Sequence, residues 1–182
     1  RSGTHAPRLL VVDAAPAKAL KARDIAREIS VAERTVLVDL TDTSPVWGAG
    51  LSELISGDAS FGDAIDLDEK SRLHVISAGK AGIQPVLDAP ELVGLILEAL
   101  AETYDRVILS VSASQERAVL SNLIGQCDGA LVVGGHAGNG HAVEIAYRLS
   151  ESGEAPVGVV VGEPPSGSAS RSRTGAMADL GT

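Results

Sequence analysis

The sequence predicts a three-layer α/β/α protein built on a doubly wound, mostly parallel sheet. Apolar residues make up 45% of the 182-residue chain and aromatic residues only 2%, so the core must consist of aliphatic side chains. Aliphatic runs of strand length alternate with segments of helical composition. Strands that are buried on both faces of a parallel sheet read as such uninterrupted runs. The alternation therefore indicates the layered fold, and the length suits one domain.

The elements follow one another along the chain in a regular order. Strands are predicted for the aliphatic runs at 8–13, 35–40, 73–79, 104–113, 129–135 and 155–162. Helices are predicted for the segments at 15–30, 50–57, 59–65, 88–102, 115–125 and 140–152. In the fourth helix, Asp88 is expected to cap the N-terminus, with Pro90 in the first turn. Helical spacing predicts that its buried stripe consists of Leu92, Leu95, Ile96, Ala99 and Leu100.

Composition divides the chain into three parts. Residues 1–7 are expected to be a linker or a cut edge, 8–162 the α/β domain, and 163–182 a Gly/Ser/Pro-rich tail without periodicity. A formal net charge of −9 argues against nucleic acid or an anionic membrane surface as a direct partner. No apolar run approaches the roughly 20 residues that span a bilayer, so direct insertion of this chain is not expected. A single cysteine, Cys127, excludes an internal disulfide and fits a reducing compartment.

The connector after the first strand lies where a phosphate loop would be expected. In doubly wound folds ligands bind beyond the carboxyl ends of the strands. A phosphate loop needs glycines, because its backbone visits positive φ, where a side chain costs about 1–2 kcal/mol. It also needs a hydroxyl for magnesium, yet the segment 16–23 reads PAKALKAR. Lys18 and Lys21 keep the positive charge, so a residual anion site stands as a hypothesis beside the favoured interpretation, a solvated helix face.

Acidic residues at the strand ends are the next candidates. Asp39 ends the second strand and Asp42 follows in a turn-forming run. Either carboxylate is a candidate magnesium ligand, but a turn or cap role is the favoured interpretation for a single aspartate at a strand end. Ser110 stands in the fourth strand where magnesium-dependent nucleotide hydrolases place a carboxylate. A serine cannot supply the charge that fixes the water shell of the metal.

The stretch GGHAGNGHA at 134–142 is a glycine-rich loop that precedes a predicted helix. Gly135, His136, Gly138 and Gly140 form a candidate anion loop whose N–H groups would point at a ligand. The simpler alternative is a flexible connection with solvated histidines. His136 and His141 have no cysteine or carboxylate nearby at the spacing of metal ligands, so no metal site is predicted. No catalytic residue can be singled out from the sequence.

Four motifs in the middle of the chain carry a family resemblance. GLSELISG (50–57), FGDAI (61–65), LHVISAG (73–79) and YDRVIL (104–109) occur in that order. In order and spacing they resemble the cytoplasmic domain of bacterial tyrosine kinases, which belong to the polysaccharide co-polymerase systems for capsule and exopolysaccharide. The resemblance spans roughly residues 8–162. It implies a P-loop NTPase-like fold with a degenerate phosphate loop.

The resemblance also implies a setting and shows where this chain departs from the family. It implies a cytoplasmic location at the inner membrane face, reached through a partner or a membrane-spanning portion outside this sequence. The implied partner is a transmembrane polysaccharide co-polymerase or chain-length determinant, and self-association stays open. The family phosphate loop falls on 16–22 without its glycines, Ser110 replaces the second acidic motif, and the tail lacks the tyrosines of the family.

Three hypotheses about function follow. The leading one is a non-catalytic, pseudokinase-like module of exopolysaccharide or capsule synthesis and export that needs no cofactor. The alternative is a weak ATP-binding regulator of polysaccharide chain length, in which Lys18 or Lys21 holds phosphate and Asp39 or Asp42 holds the magnesium of Mg-ATP. The loop at 134–140 would then cover the nucleotide. A third hypothesis, a relative of the chromosome- and septum-positioning ATPases, is disfavoured because their phosphate loop and membrane-targeting helix have no counterpart here.

Overall fold

A computed structural model describes residues 5–14, 21–41, 48–134 and 140–161 of the chain. The strands in these ranges are β1 Arg8–Asp13, β2 Thr35–Asp39, β3 Ile65–Leu67, β4 His74–Ser77, β5 Arg106–Ser112, β6 Gly129–Gly134 and β7 Val157–Val161. They form one sheet in the order β3-β4-β2-β5-β1-β6-β7. Every neighbouring pair is parallel except β3 with β4. The predicted mostly parallel sheet is confirmed.

Helices cover both faces of this sheet. Their bounds are α1 Ala22–Ile29, α2 Leu51–Ser56, α3 Phe61–Ala64, α4 Gln84–Asp88, α5 Pro90–Thr103, α6 Arg117–Ile124 and α7 Gly140–Ser150. On one face α1 packs Ala22 and Ala26 against a cluster that includes Leu37 and Ile108. On the other face α5, α6 and α7 join a larger aliphatic cluster with β1, β2 and β5. The result is the predicted three-layer arrangement.

The third strand was not predicted from the sequence. The predicted helix at 59–65 ends one residue early, at Ala64, and Ile65–Leu67 then pairs antiparallel with β4. A run of three residues is too short to show a strand period, so only its hydrogen-bonded neighbour makes it a strand. The antiparallel pair forms a hairpin in which β3 is the outermost strand of the sheet.

The start of α5 differs from the prediction because a separate short helix precedes it. Asp88 is the last residue of α4, where its Oδ1 accepts a hydrogen bond from Gln84 Nε2 at 3.0 Å. Ala89 occupies the N-cap position of α5, and Pro90 lies in the first turn as expected. The predicted capping role of Asp88 is therefore wrong.

The buried face of α5 also differs from the predicted stripe. Leu92 and Leu95 are 42% and 60% exposed, whereas Val93 and Leu97 are almost fully buried. Of the predicted stripe, Leu100 is buried and Ile96 packs partly against the core. Apolar residues occur on most sides of this helix, so several stripes fit the sequence equally well. Packing against the sheet decides which one is buried.

The central strands bring their carboxyl ends to one edge of the sheet. β1 lies between β5 and β6, and β5 also pairs with β2. In this register Asp39 is aligned with Ser110, and Asp13 with Ser112. No helix in the described ranges is long and apolar enough to cross a membrane. The division at residues 7 and 162 stays a prediction, and the tail 163–182 lies outside the described residues.

Candidate functional site

The candidate site lies at the carboxyl edge, where β2 and β5 end beside the start of α1. Asp39 is the last residue of β2 and is 7% exposed. Ser110, its aligned neighbour on β5, is 1% exposed. The parallel pairing of β2 with β5 therefore brings these two candidates together.

Donors of the chain itself surround the carboxylate of Asp39. Its Oδ1 accepts hydrogen bonds from Ser110 Oγ at 3.0 Å, Thr41 Oγ1 at 2.7 Å and Thr41 N at 3.2 Å. Its Oδ2 accepts one from Arg23 Nη2 at 3.0 Å. Oδ1 thus accepts from three donors and Oδ2 from one, so four hydrogen bonds within the chain already hold this carboxylate. The bond from Thr41 N closes a turn at the strand end, which is the structural role that the sequence favoured for Asp39.

Arg23 is the residue at this edge that sequence reasoning missed. It lies in the first turn of α1 and forms an ion pair with Asp39, whose side chain is only 9% exposed. The guanidinium thus supplies, from within the chain, the positive charge that a bound cation would bring to this carboxylate. The sequence offers only a weak signal for it: Arg23 is a third basic residue in the segment PAKALKAR, after Lys18 and Lys21. Nothing in the sequence shows that Arg23 reaches back to the end of β2.

Two further carboxylates bind the first amides of α1. Asp13 Oδ1 accepts a hydrogen bond from Ala22 N at 3.1 Å, and Asp24 Oδ2 accepts one from Lys21 N at 3.2 Å. Burial raises the pKa of Asp13, while the Ala22 N–H and the charge of Lys21 act in the opposite direction. Helix N-terminal amides are the groups that usually bind phosphate. Here side chains of the chain itself occupy two of them.

The other predicted site residues are only partly covered by the structure. Lys21 lies at the start of α1, close enough to Asp13 for its charge to act on that carboxyl. Gly140 is the first residue of α7, and no atom of the described residues lies within 4 Å of the place where its Cβ would be. The remaining candidates lie outside the described residues: Lys18, Asp42, Gly135, His136 and Gly138.

The two most specific motifs meet in a turn beside this edge. Glu53 Oε2 accepts a hydrogen bond from Gly50 N at 2.9 Å, and its Oε1 accepts one from Lys80 N at 3.2 Å. Burial raises the pKa of Glu53, but these hydrogen bonds and one from Ser52 outweigh it and leave the pKa below its usual value. Gly79 has φ +86°, and a Cβ there would collide with the side chains of Ser52 and Glu53. GLSELISG and LHVISAG therefore act together to shape the turn after β4.

The side chains around Asp39 do not fit magnesium and a nucleoside triphosphate. In the described ranges, no group of three or more His, Cys, Asp or Glu side chains is placed to hold a metal ion. Asp39 already accepts four hydrogen bonds from the chain, and Ser110 supplies a hydroxyl where a second carboxylate would be needed. A cation bound at Oδ2 of Asp39 would lie beside the positive charge of Arg23, which opposes its binding. We therefore derive no phosphoryl-transfer step for this edge.

Comparison with known proteins gives a consistent picture of the fold. Neither a protein-family model nor a curated protein matches the sequence. Among solved structures, the VpsO kinase domain matches with a TM-score of 0.69 and 19% identity, over 88% of this chain and 86% of that one. The kinase domain of the Escherichia coli tyrosine kinase ETK matches with a TM-score of 0.64 and 16% identity, over 98% and 73%.

The same fold occurs in ATPases of another class. A ParA family ATPase from Chlorobium tepidum matches with a TM-score of 0.60 and 14% identity, over 85% of this chain and 73% of that one. At these identities the likeness establishes the fold. The chain thus has the P-loop NTPase fold in the form found in the kinase domains of bacterial tyrosine kinases, as the sequence predicted.

Proposed function

We propose that this protein is a non-catalytic, pseudokinase-like module of a bacterial exopolysaccharide or capsule synthesis and export system. It acts through protein–protein contacts at the cytoplasmic face of the inner membrane. Its proposed partner is a transmembrane polysaccharide co-polymerase or chain-length determinant. The four motifs and the likeness to bacterial tyrosine kinase domains support this setting.

One observation carries the non-catalytic part of the proposal: the guanidinium of Arg23 forms an ion pair with the carboxylate of Asp39. Phosphoryl transfer depends almost entirely on positioning and on charge. The first carboxylate at this edge is bound to a guanidinium at 3.0 Å, and the second position is Ser110, which itself donates to that carboxylate. Asp13 also occupies an amide at the start of α1. Each of these contacts uses a group that a magnesium–nucleotide complex would need.

Calorimetry with Mg-ATP at high protein concentration tests the proposal. We expect no binding heat and no release of phosphate. Binding in the micromolar range together with measurable hydrolysis would end the pseudokinase hypothesis. Because calorimetry alone does not say why binding is absent, variants of the edge are needed as well.

A pair of matched variants tests whether Arg23 is the group that excludes a cation. In Arg23→Ala combined with Ser110→Asp, two carboxylates face each other without a guanidinium, and we expect Mn²⁺ binding detectable by electron paramagnetic resonance. Arg23→Lys combined with Ser110→Asp is the control, since it retains a positive charge and should bind less Mn²⁺. Equal binding by both double variants would show that Arg23 does not control access to Asp39.

The ATP-binding alternative keeps one observation in its favour. Lys21 and Asp39 lie at the same edge of the sheet, where a nucleotide would bind in this fold. Replacing Lys18, Lys21 and Asp39 together separates the two hypotheses. A fall in polysaccharide output with fold and partner binding intact would favour the ATP-binding regulator, whereas unchanged output would favour the pseudokinase.

A further inference from the structure

A cavity of about 560 Å³ opens at the opposite edge of the sheet, where β2, β4 and β5 begin. Its lining comes from three places: the segment 30–35 after α1, the β3–β4 hairpin, and residues 103–105 at the end of α5. The carboxyl edge with Asp39 lies at the other end of these strands. We call this cavity the amino-edge groove.

The floor of the amino-edge groove is a paired histidine and tyrosine. His74 Nδ1 and the hydroxyl oxygen of Tyr104 are joined by a hydrogen bond of 2.7 Å. Their rings meet edge to face, with centroids 5.5 Å apart. Tyr104 is 9% exposed. The two side chains hold each other in place and give the groove a fixed base.

The two rims of the groove are aliphatic and open to water. Val31, in the segment after α1, is 73% exposed, and Leu67, in the hairpin, is 66% exposed. No other large apolar side chain in the described ranges is more exposed than these two. The hairpin that carries Leu67 is anchored by Asp68, whose carboxylate accepts hydrogen bonds from Arg27 at 2.8 and 3.0 Å. A largely buried ion pair therefore fixes the hairpin that carries Leu67 to α1.

The groove is lined by two acidic and two basic side chains, and Arg72 is the one of these four without an ion pair among the described residues. Arg34 pairs with Asp105 at 2.9 Å, and Glu33 pairs with Arg106 at 3.0 Å. Arg72 lines the groove and has no ion pair with any described residue. The acidic residues of the β3–β4 hairpin, Asp66, Asp68 and Glu69, do not line the groove. On a chain with net charge −9, this groove is a place where a carboxylate would be attracted.

We propose that the amino-edge groove docks an extended, acidic and apolar segment of a partner protein. An apolar side chain of the segment lies between Val31 and Leu67, and a neighbouring carboxylate pairs with Arg72. A small-molecule pocket encloses most of its ligand, whereas the aliphatic side chains of this groove are largely exposed, which suits a segment that crosses the groove. The inference extends the contact role proposed above. Because the groove and the Asp39 edge are at opposite ends of the strands, the two proposals are tested and can fail separately.

Two short peptides serve as probes for this proposal. One alternates leucine with aspartate, and the other alternates leucine with lysine. Titration into isotope-labelled protein should shift amide NMR signals of residues 30–35, 67–74 and 103–105 with the acidic peptide only. Arg72→Glu should weaken its binding by about tenfold or more, as expected when a paired charge is reversed. Leu67→Asp should weaken it as well.

Matched variants outside the groove provide the controls. Lys70→Glu makes the same charge change on the same hairpin, and Leu95→Asp makes the same apolar-to-acidic change on an exposed face of α5. Both should bind the acidic peptide like the unmodified protein, with amide spectra that show an intact fold. The proposal is overturned if the acidic peptide binds elsewhere or not at all at millimolar concentration. Equal binding of the lysine peptide, or equal weakening by Lys70→Glu and Arg72→Glu, would overturn it too.

Discussion

Replacing Asp68 with asparagine should destabilise the protein strongly, because its carboxylate anchors the β3–β4 hairpin. The Asp68 side chain is 3% exposed and Arg27, its ion-pair partner, 26% exposed. Beside Arg27, Lys70 N and Ser71 Oγ donate to this carboxylate at 3.1 and 2.8 Å. Asparagine retains the shape but removes the charge and one acceptor, which leaves a partly buried guanidinium poorly paired.

The size of the effect follows from the burial of the pair. Breaking a buried ion pair by removing one partner costs about 3–5 kcal/mol. Arg27 retains some water and a second contact, to Asp24 at 3.4 Å, so we expect a loss of about 2–3 kcal/mol in the free energy of unfolding. For a chain of this length, that corresponds to a fall in Tm of roughly 4–12 °C.

The same ion pair predicts how the effect changes with pH. Hydrogen bonds from Arg27 hold the pKa of Asp68 well below its usual value, although burial opposes them. Because the folded state lowers this pKa, the stabilisation is complete above the unfolded value of about 3.9 and is lost as the pH falls below it. The difference in unfolding free energy between the two proteins should therefore stay constant from neutral pH down to about 5 and shrink below about 4.

Asp105→Asn is the matched control for Asp68→Asn. Arg34 also binds Asp105 through two nitrogens, at 2.9 and 3.1 Å, but the side chains are 70% and 46% exposed. Arg34 lowers the pKa of Asp105 to about 2, yet solvent screening limits what an exposed pair contributes. We expect a change within the error of urea unfolding followed by circular dichroism. Equal losses for the two substitutions would refute the argument from burial.

Three other predictions concern packing and reactivity. Gly79→Ala should destabilise the protein more than Gly57→Ala in urea unfolding: both have positive φ, a strain of about 1–2 kcal/mol, but only Gly79 lacks room for a Cβ. A loss no greater than that of Gly57→Ala would contradict this packing. Leu97→Ala should lower the unfolding free energy by about 2–5 kcal/mol, while Leu95→Ala, at an exposed position, should have little effect. A larger loss for Leu95→Ala than for Leu97→Ala would mean that the stripe predicted for α5 from the sequence is the buried one. Burial raises the pKa of Cys127 to about 12, so its thiol should react slowly with a disulfide reagent at pH 8 and quickly once the chain unfolds; rapid labelling of the folded protein would contradict the burial.

The fold class could be predicted from the sequence because the central strands of a parallel sheet are visible as continuous aliphatic runs. Strands buried on both faces must be aliphatic throughout, so β1, β2 and β5 could be located by inspection. The short β3 was missed, since its identity depends on pairing with β4 rather than on its own residues. The buried face of α5 was misassigned, because apolar residues surround that helix and only the sheet beneath it selects a face.

For the candidate site as well, the sequence shows some features and only the tertiary structure shows the others. From the sequence alone it follows that Asp39 ends a strand, that Ser110 brings no charge, and that the connector at 16–23 has no glycine, because these are matters of residue type and local position. That Arg23 binds Asp39, and that Asp13 binds the amide of Ala22, depends on how α1 packs across the strand ends. The amino-edge groove, with Arg72 unpaired beside Leu67, likewise exists only after distant segments meet. Residue chemistry decides which groups are available, but long-range packing decides which of them are already occupied.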